Sequence, residues 1–252
     1  MEAEMAEMDF AGRLDAIRAR MAEACRRAGQ PAASVELIAV TKTFGPDAVR
    51  EAWEAGVRIM GENRVQEAAA KIPQCIGGPA WHLIGHLQRN KVRPALERFS
   101  CIHAVDSLRL LEQIDNVAGE LGACPTILLE INVSGESSKF GIRPEDAPPV
   151  IERAMAMRHV TLEGLMTMAP ATPDPETTRP VFARLRECRD RWEQTFGLPL
   201  PRLSMGMSGD FEVAIEEGAT WIRIGTALFG NRPKWKPERG SEDQEEQVWV
   251  ID

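Results

Sequence analysis

Lys42 ends a short apolar run, Val35-Glu-Leu-Ile-Ala-Val40, and follows directly on Thr41. An ammonium at the end of such a run is partly desolvated, which lowers its pKa and suits it to trapping a carbonyl; the plainer reading is a lysine reaching solvent from a strand end. A second group lies in Leu203-Ser-Met-Gly-Met-Ser-Gly-Asp210, where small residues precede a helix beginning near Phe211. Backbone N–H groups exposed at a helix start favour a phosphate; the plainer reading is an ordinary small-residue turn. The run Trp221-Ile-Arg-Ile-Gly-Thr-Ala227 adds Gly225 and Thr226 at its end and sets Arg223 between Ile222 and Ile224. A guanidinium in an apolar strand needs a partner, either a carboxylate such as Glu130 or Glu163 or an atom of a ligand. Facing a pyridine nitrogen, it would hold that nitrogen unprotonated. An amine, an anion cradle and such a cation together suit pyridoxal 5'-phosphate.

These groups converge only if the chain folds them to one end of a sheet. Phe10, Leu14, Ile17, Met21, Ala24 and Ala28 recur at helical spacing and predict an N-terminal helix over about 10–28. Strand candidates follow at 35–40, 57–61, 81–85, 101–105, 126–133, 160–166, 202–205 and 221–225, separated by helical patterns such as 108–115 and 181–188. Eight β-α units in about 250 residues predict a single TIM (β/α)8 barrel, whose sites lie at the carboxyl ends of the strands. An open doubly wound sheet is the alternative, but no G-x-G-x-x-G follows the first strand. We place the barrel within residues 1–232 and read 233–252 as a charged tail with an apolar tip. The Pro-rich stretch 170–180 follows the sixth strand, as a lid or a plain connector.

The chain has 252 residues, 44% hydrophobic and 27% charged, so it can bury a full core. A net charge of −8 without a basic run argues against nucleic acid as partner. The acidic N-terminus and the lack of long apolar runs argue against a secretory signal or a membrane span and predict a cytoplasmic protein. Five scattered cysteines without a C-x-x-C pair argue against a disulfide framework or a structural zinc. His82 and His86 are four apart but lack the glutamate of a zinc helix, so no metal is expected, and Met166, Met168, Met205 and Met207 read as packing or pocket wall. No tyrosine occurs, which excludes a phenolic acid or base.

Several segments together resemble the pyridoxal phosphate homeostasis protein family, single barrels related to the N-terminal domain of alanine racemase (fold-type III). They are Ala39-Val-Thr-Lys42-Thr, Gly61-Glu-Asn63, His82-Leu-Ile-Gly-His-Leu-Gln-Arg-Asn-Lys91, Gly164-Leu-Met-Thr-Met168, Ser204-Met-Gly-Met-Ser-Gly-Asp210 and Arg223-Ile-Gly-Thr-Ala-Leu-Phe-Gly-Asn-Arg232. The resemblance implies pyridoxal 5'-phosphate as cofactor, joined to Lys42 as a Schiff base. Its phosphate would be held by Ser208, Gly209, Gly225 and Thr226, its pyridine nitrogen would face Arg223, and Asn63, His82, Met205 and Met207 would line the pocket. Lys139 matches a family lysine and leaves a second contact open, whereas Phe44 and Arg64 stand where relatives often carry Lys and Tyr. The implied function is non-catalytic: a carrier and buffer of the cofactor, with apo-enzymes that use it as further partners; the lack of an added domain or an evident interface stripe points to a monomer. Two alternatives remain open at this point. One is an amino-acid racemase working with the same lysine as a weak, one-base enzyme. The other is a cofactor-free Schiff-base aldolase or phosphosugar isomerase.

Overall fold

A computed structural model describes residues 8–135, 140–230 and Trp235. Lys139, and the 233–252 tail apart from Trp235, lie outside the described residues. The eight apolar runs form β1 Glu36–Val40, β2 Ile59–Glu62, β3 Ala80–Leu83, β4 Cys101–Val105, β5 Thr126–Glu130, β6 Thr161–Met166, β7 Arg202–Ser204 and β8 Trp221–Ile224. They pair in parallel in chain order, and β8 closes on β1 to complete the barrel. The helices are α1 Phe10–Ala28, α2 Pro46–Glu54, α3 Val65–Lys71, α4 Val92–Leu96, α5 Leu108–Leu121, α6 Ala147–Met155, α7 Arg179–Phe196, α8 Phe211–Glu216 and α9 Thr226–Phe229. Among the described residues no helix is long and apolar enough to cross a membrane.

The helix α1 precedes the barrel units and is delimited by its caps. The Asp9 side chain accepts from the Gly12 N–H at 2.8 Å, and Gly29 ends the helix at φ +67°, a conformation that favours glycine. Its buried stripe runs through Phe10, Leu14, Ile17, Met21, Ala24 and Cys25. Ala28 is exposed, so the stripe stops a turn earlier than its spacing predicts, because the chain turns away at Gly29. The helix covers α8, to which Arg20 bonds through Glu212 at 2.7 Å, and α9, where Phe10 meets Phe229 with ring centroids 5.3 Å apart. It therefore braces the two short helices that follow β7 and β8.

Strand alternation divides the core into two shells, because successive side chains on a strand point to opposite faces. Ile38, Cys101, Leu128, Met166 and Trp221 form a small cluster inside the barrel. Their strand neighbours Ala39, Ile102, Leu129, Leu165 and Ile222 belong to the larger layer between sheet and helices. The same alternation turns His82, His103, Ser204 and Arg223 inward, all four buried. Parallel register sets neighbours side by side: Gly61 pairs with His82, His82 with Cys101, and Ile38 with Arg223.

Candidate functional site

A cavity of about 380 Å³ opens at the carboxyl ends of the strands. Small-molecule sites start near that size, and this end of the barrel is where they are built. Lys42 enters it from the loop after β1 and is half-buried. Asn63, from the loop after β2, lines another wall; its backbone carbonyl would lie 2.4 Å from a Cβ at Gly85, so only glycine lets the loops after β2 and β3 approach so closely. Met168, Met207 and Phe140 are exposed at the mouth, and Phe140 stacks on the His86 ring at 4.2 Å.

The loop from β7 to α8 supplies Met207, Ser208 and Gly209 to this cavity. Its tight turn depends on Gly206, at φ +89°, where a Cβ would lie 2.6 Å from the Ala214 Cβ. Asp210 ties the turn by accepting the Met207 N–H at 2.6 Å, while burial pushes its carboxyl pKa up. Ser208 Oγ accepts from the Ala227 N–H at 3.3 Å, which binds this loop to the start of α9 beside Gly225 and Thr226. Among the described residues, its chain neighbours aside, no atom lies within 4 Å of where a Gly209 Cβ would sit. The Ser208 hydroxyl and the Ala227 amide beside it, at the start of α9, are donor groups of the kind that suit an anion.

The backbone around Lys42 is held by buried charge. Lys71 is fully buried; its ammonium donates to the Thr41 carbonyl at 2.8 Å, to Glu62 Oε1 at 2.7 Å and to Glu67 Oε1 at 3.0 Å. Thr41 Oγ1 donates to Glu62, and the Thr43 N–H donates to Glu67. Burial pushes the Glu62 carboxyl up and the Lys71 charge pulls it down. From the other side Trp235 donates its N–H to the Thr43 carbonyl at 3.1 Å and sets its ring 5.4 Å from the Lys71 ammonium. Thr43 adopts φ +67°, the one positive φ of a non-glycine residue among the described residues. Phe44 is buried against Phe229, with ring centroids 4.9 Å apart, so where relatives often carry a lysine this chain has a packing residue.

The floor of the cavity is Arg223. Neither carboxylate foreseen from the sequence bonds to it: Nη1 donates to Ser204 Oγ at 2.6 Å and Nη2 to the Thr167 carbonyl at 3.0 Å. Glu163 sits at the other end of the barrel, 3.8 Å from Arg202. Glu130 acts on Arg223 only through its charge; burial and then the charge of Asp106 push its carboxyl up to about 7, against the pull of Arg223. Burial lowers the Arg223 pKa to about 10, so the guanidinium remains charged at neutral pH. Beneath it, Ser204 Oγ lies 2.9 Å from His103 Nδ1, and His103 Nε2 lies 3.0 Å from His82 Nδ1. Burial holds both imidazoles in their neutral forms, with His82 down to about 4.

Eight of the ten residues named from the sequence line this one cavity: Lys42, Asn63, Met207, Ser208, Gly209, Arg223, Gly225 and Thr226. The other two do not. Met205 is outside the barrel wall in the sheet-helix layer, because strand alternation that turns Ser204 inward must turn Met205 outward. His82 faces inward but one layer below the cavity, against Trp221 at 5.0 Å and bonded to His103. Sequence reading passed over His103, Lys71 and Glu62. The one signal for each is a charged or polar residue at an inward or helix-buried position of an otherwise apolar pattern. Neither the His82–His86 spacing nor the cysteine spacing reveals that the fold gathers His82, Cys101 and His103 with ligand atoms within 4.8 Å of one another. The nitrogens that His82 and His103 turn toward each other are hydrogen bonded together.

Known proteins align with both the chain and this geometry. The model of the alanine racemase N-terminal domain family matches residues 13–233. A pyridoxal phosphate homeostasis protein of Aquifex aeolicus is 41% identical, the alignment covering 89% of this chain and 99% of the relative. One of Pseudomonas aeruginosa is 44% identical over 88% and 95%. Among solved structures, PipY of Synechococcus elongatus with PLP bound superposes with a TM-score of 0.78 at 41% identity, over 88% of this chain and 100% of that one. An alanine racemase of Clostridium difficile, at 18% identity and a TM-score of 0.65 over 79% of this chain and 56% of that one, shares the fold. With a closed eight-stranded barrel and the two homeostasis proteins matched along nearly their full length, the chain belongs to the pyridoxal phosphate homeostasis protein family, within the alanine racemase N-terminal domain fold.

Proposed function

We propose that this protein binds pyridoxal 5'-phosphate and holds it in reserve, as a carrier and buffer rather than a catalyst. The observation that carries this is the meeting, in one cavity, of an amine at Lys42, an anion cradle at Ser208, Gly209, Gly225 and Thr226, and a buried cation at Arg223. Bound there, the cofactor supplies an aldehyde carbon that a lysine amine captures reversibly. Lys42 provides that amine, and the cradle donates to the phosphate. Arg223 has N–H donors and no acceptor, so toward a pyridine nitrogen it acts as donor and keeps the nitrogen unprotonated. An unprotonated ring is a poor electron sink, which fits storage better than carbanion chemistry. With no tyrosine in the chain, a racemase would also lack a phenolic second base. Met168, Met207 and Phe140 line the mouth and are exposed to solvent, on the side where the cofactor would load and leave. We further read the protein as a monomer of the cytoplasm, in keeping with its unpaired cysteines and its acidic, unpatched sequence, with apo-enzymes as recipients.

The test is the visible absorbance of the protein mixed with pyridoxal 5'-phosphate. Loss of the band in Lys42→Ala supports the reading, and an unchanged band overturns it. Deuterium entering Cα of alanine or serine at about 1 per second or faster would replace storage by racemisation.

A further inference from the structure

The polar column under the pocket has a direction that its hydrogen bonds determine. Arg223 donates from Nη1 to Ser204 Oγ at 2.6 Å, since a guanidinium has no acceptor. Ser204 is fully buried, and its hydroxyl has two hydrogen-bond partners among the described residues, Arg223 and His103. Its own hydrogen therefore goes to His103 Nδ1, at 2.9 Å. His103 must then carry its proton on Nε2 and donate it to His82 Nδ1 at 3.0 Å, which puts the His82 proton on Nε2. Each ring is neutral and in one tautomer, and Trp221 packs on both at about 5 Å between centroids. A proton added to His82 Nδ1 would face the His103 N–H and break the chain.

From this geometry we infer that His103 is a positioning residue for ring-nitrogen recognition. It orients Ser204, and Ser204 with the Thr167 carbonyl fixes the guanidinium plane of Arg223, which lines the pocket. The inference rests on the reading that the pocket takes pyridoxal 5'-phosphate. It adds that selectivity for a heteroaromatic nitrogen is set two residues below the surface that meets the ligand. A planar fork fixed at two of its corners loses little freedom on binding, whereas an Arg223 released from Ser204 would have alternative rotamers.

The experiment compares the affinity of each variant for pyridoxal 5'-phosphate and for the analogue whose ring nitrogen is replaced by C–H. Wild-type protein should prefer the natural ligand by roughly ten- to hundredfold, the range for a hydrogen bond to a charged group. His103→Leu, which offers Ser204 no acceptor, should reduce that preference to below about threefold. His103→Asn should restore most of it, because its carbonyl oxygen takes the place of Nδ1. Ser204→Ala, which removes a single oxygen, serves as the second route should His103→Leu fail to fold, and should also lose the preference. A His103→Leu or Ser204→Ala protein that binds with wild-type preference overturns the inference. So does a wild-type protein that binds both ligands equally. Wild-type protein that binds neither overturns instead the cofactor reading on which the inference rests.

Discussion

Replacing Thr43 by glycine should make the protein more stable and its hold on the cofactor weaker. Thr43 adjoins Lys42 and occupies φ +67°, where a β-branched side chain costs about 1–2 kcal/mol. Among the described residues its Oγ1 is buried without a hydrogen-bond partner, a further cost of about 1–3 kcal/mol. Against these gains stand the greater freedom of glycine in the unfolded chain, about 0.5–1 kcal/mol, and a lost methyl contact of about 0.8 kcal/mol at most. At the middle of these ranges the balance is a gain of about 2 kcal/mol, or about 4–8 °C in Tm for a chain of this size. The bonds that shape the loop are untouched, because Glu67 accepts the Thr43 N–H and Trp235 donates to the Thr43 carbonyl, both backbone groups. What changes is preorganisation. A glycine here can leave the left-handed region, so binding must order one more residue, at about 1 kcal/mol or about a fivefold loss of affinity. Melts of ligand-free protein give the first quantity and absorbance titration with pyridoxal 5'-phosphate the second. Thr43→Val is the control: it removes the hydroxyl but keeps the β-branch, and should gain stability without losing affinity. A Thr43→Gly protein that melts below the parent, or one that melts higher at unchanged affinity, would refute the view that strain at residue 43 holds Lys42 in place.

Two other perturbations follow from the site. Glu130 has its pKa raised from 4.5 to about 7, so between those pH values the folded chain keeps a proton that the unfolded chain has released. Stability should therefore fall as pH rises through that window, and Glu130→Gln should recover about 3 kcal/mol above pH 7 and flatten the dependence. Urea midpoints of ligand-free protein at pH 5 and pH 8 measure this, and equal slopes for parent and variant would contradict it. Ser208→Asp sets a carboxylate in the anion cradle beside the Ala227 amide. It should weaken pyridoxal 5'-phosphate by at least tenfold more than pyridoxal, which lacks the phosphate, by like-charge repulsion in a half-buried site. Equal losses for the two ligands would show that the phosphate lies elsewhere.

Much of the fold was legible because periodicity is a local property. All eight strands formed within a few residues of the apolar runs that predicted them, and Gly29 and Asp9 delimited α1 as their residue types require. The pocket was legible to the extent that it is built from strand ends, since Lys42, Gly225 and Thr226 needed only chain order to be placed there. Side-chain direction was harder. Met205 lies in the same small-residue segment as Ser204 and Met207, yet one step of strand alternation decides that Ser204 meets Arg223 and Met205 meets the helices.

The types of the residues, their order and their local spacing determined that this chain makes a barrel with an amine, an anion cradle and a cation at one end. Tertiary structure alone decided how those groups are held. Lys71 and Glu62 join Thr41, beside Lys42, across 30 and 21 residues of chain, and Ser204 joins His103 across 101. Such contacts depend on how a closed sheet staggers its strands and on which buried donor finds which acceptor. Those are matters of three-dimensional register and of the cost of leaving a polar group unpaired, and no local pattern encodes them.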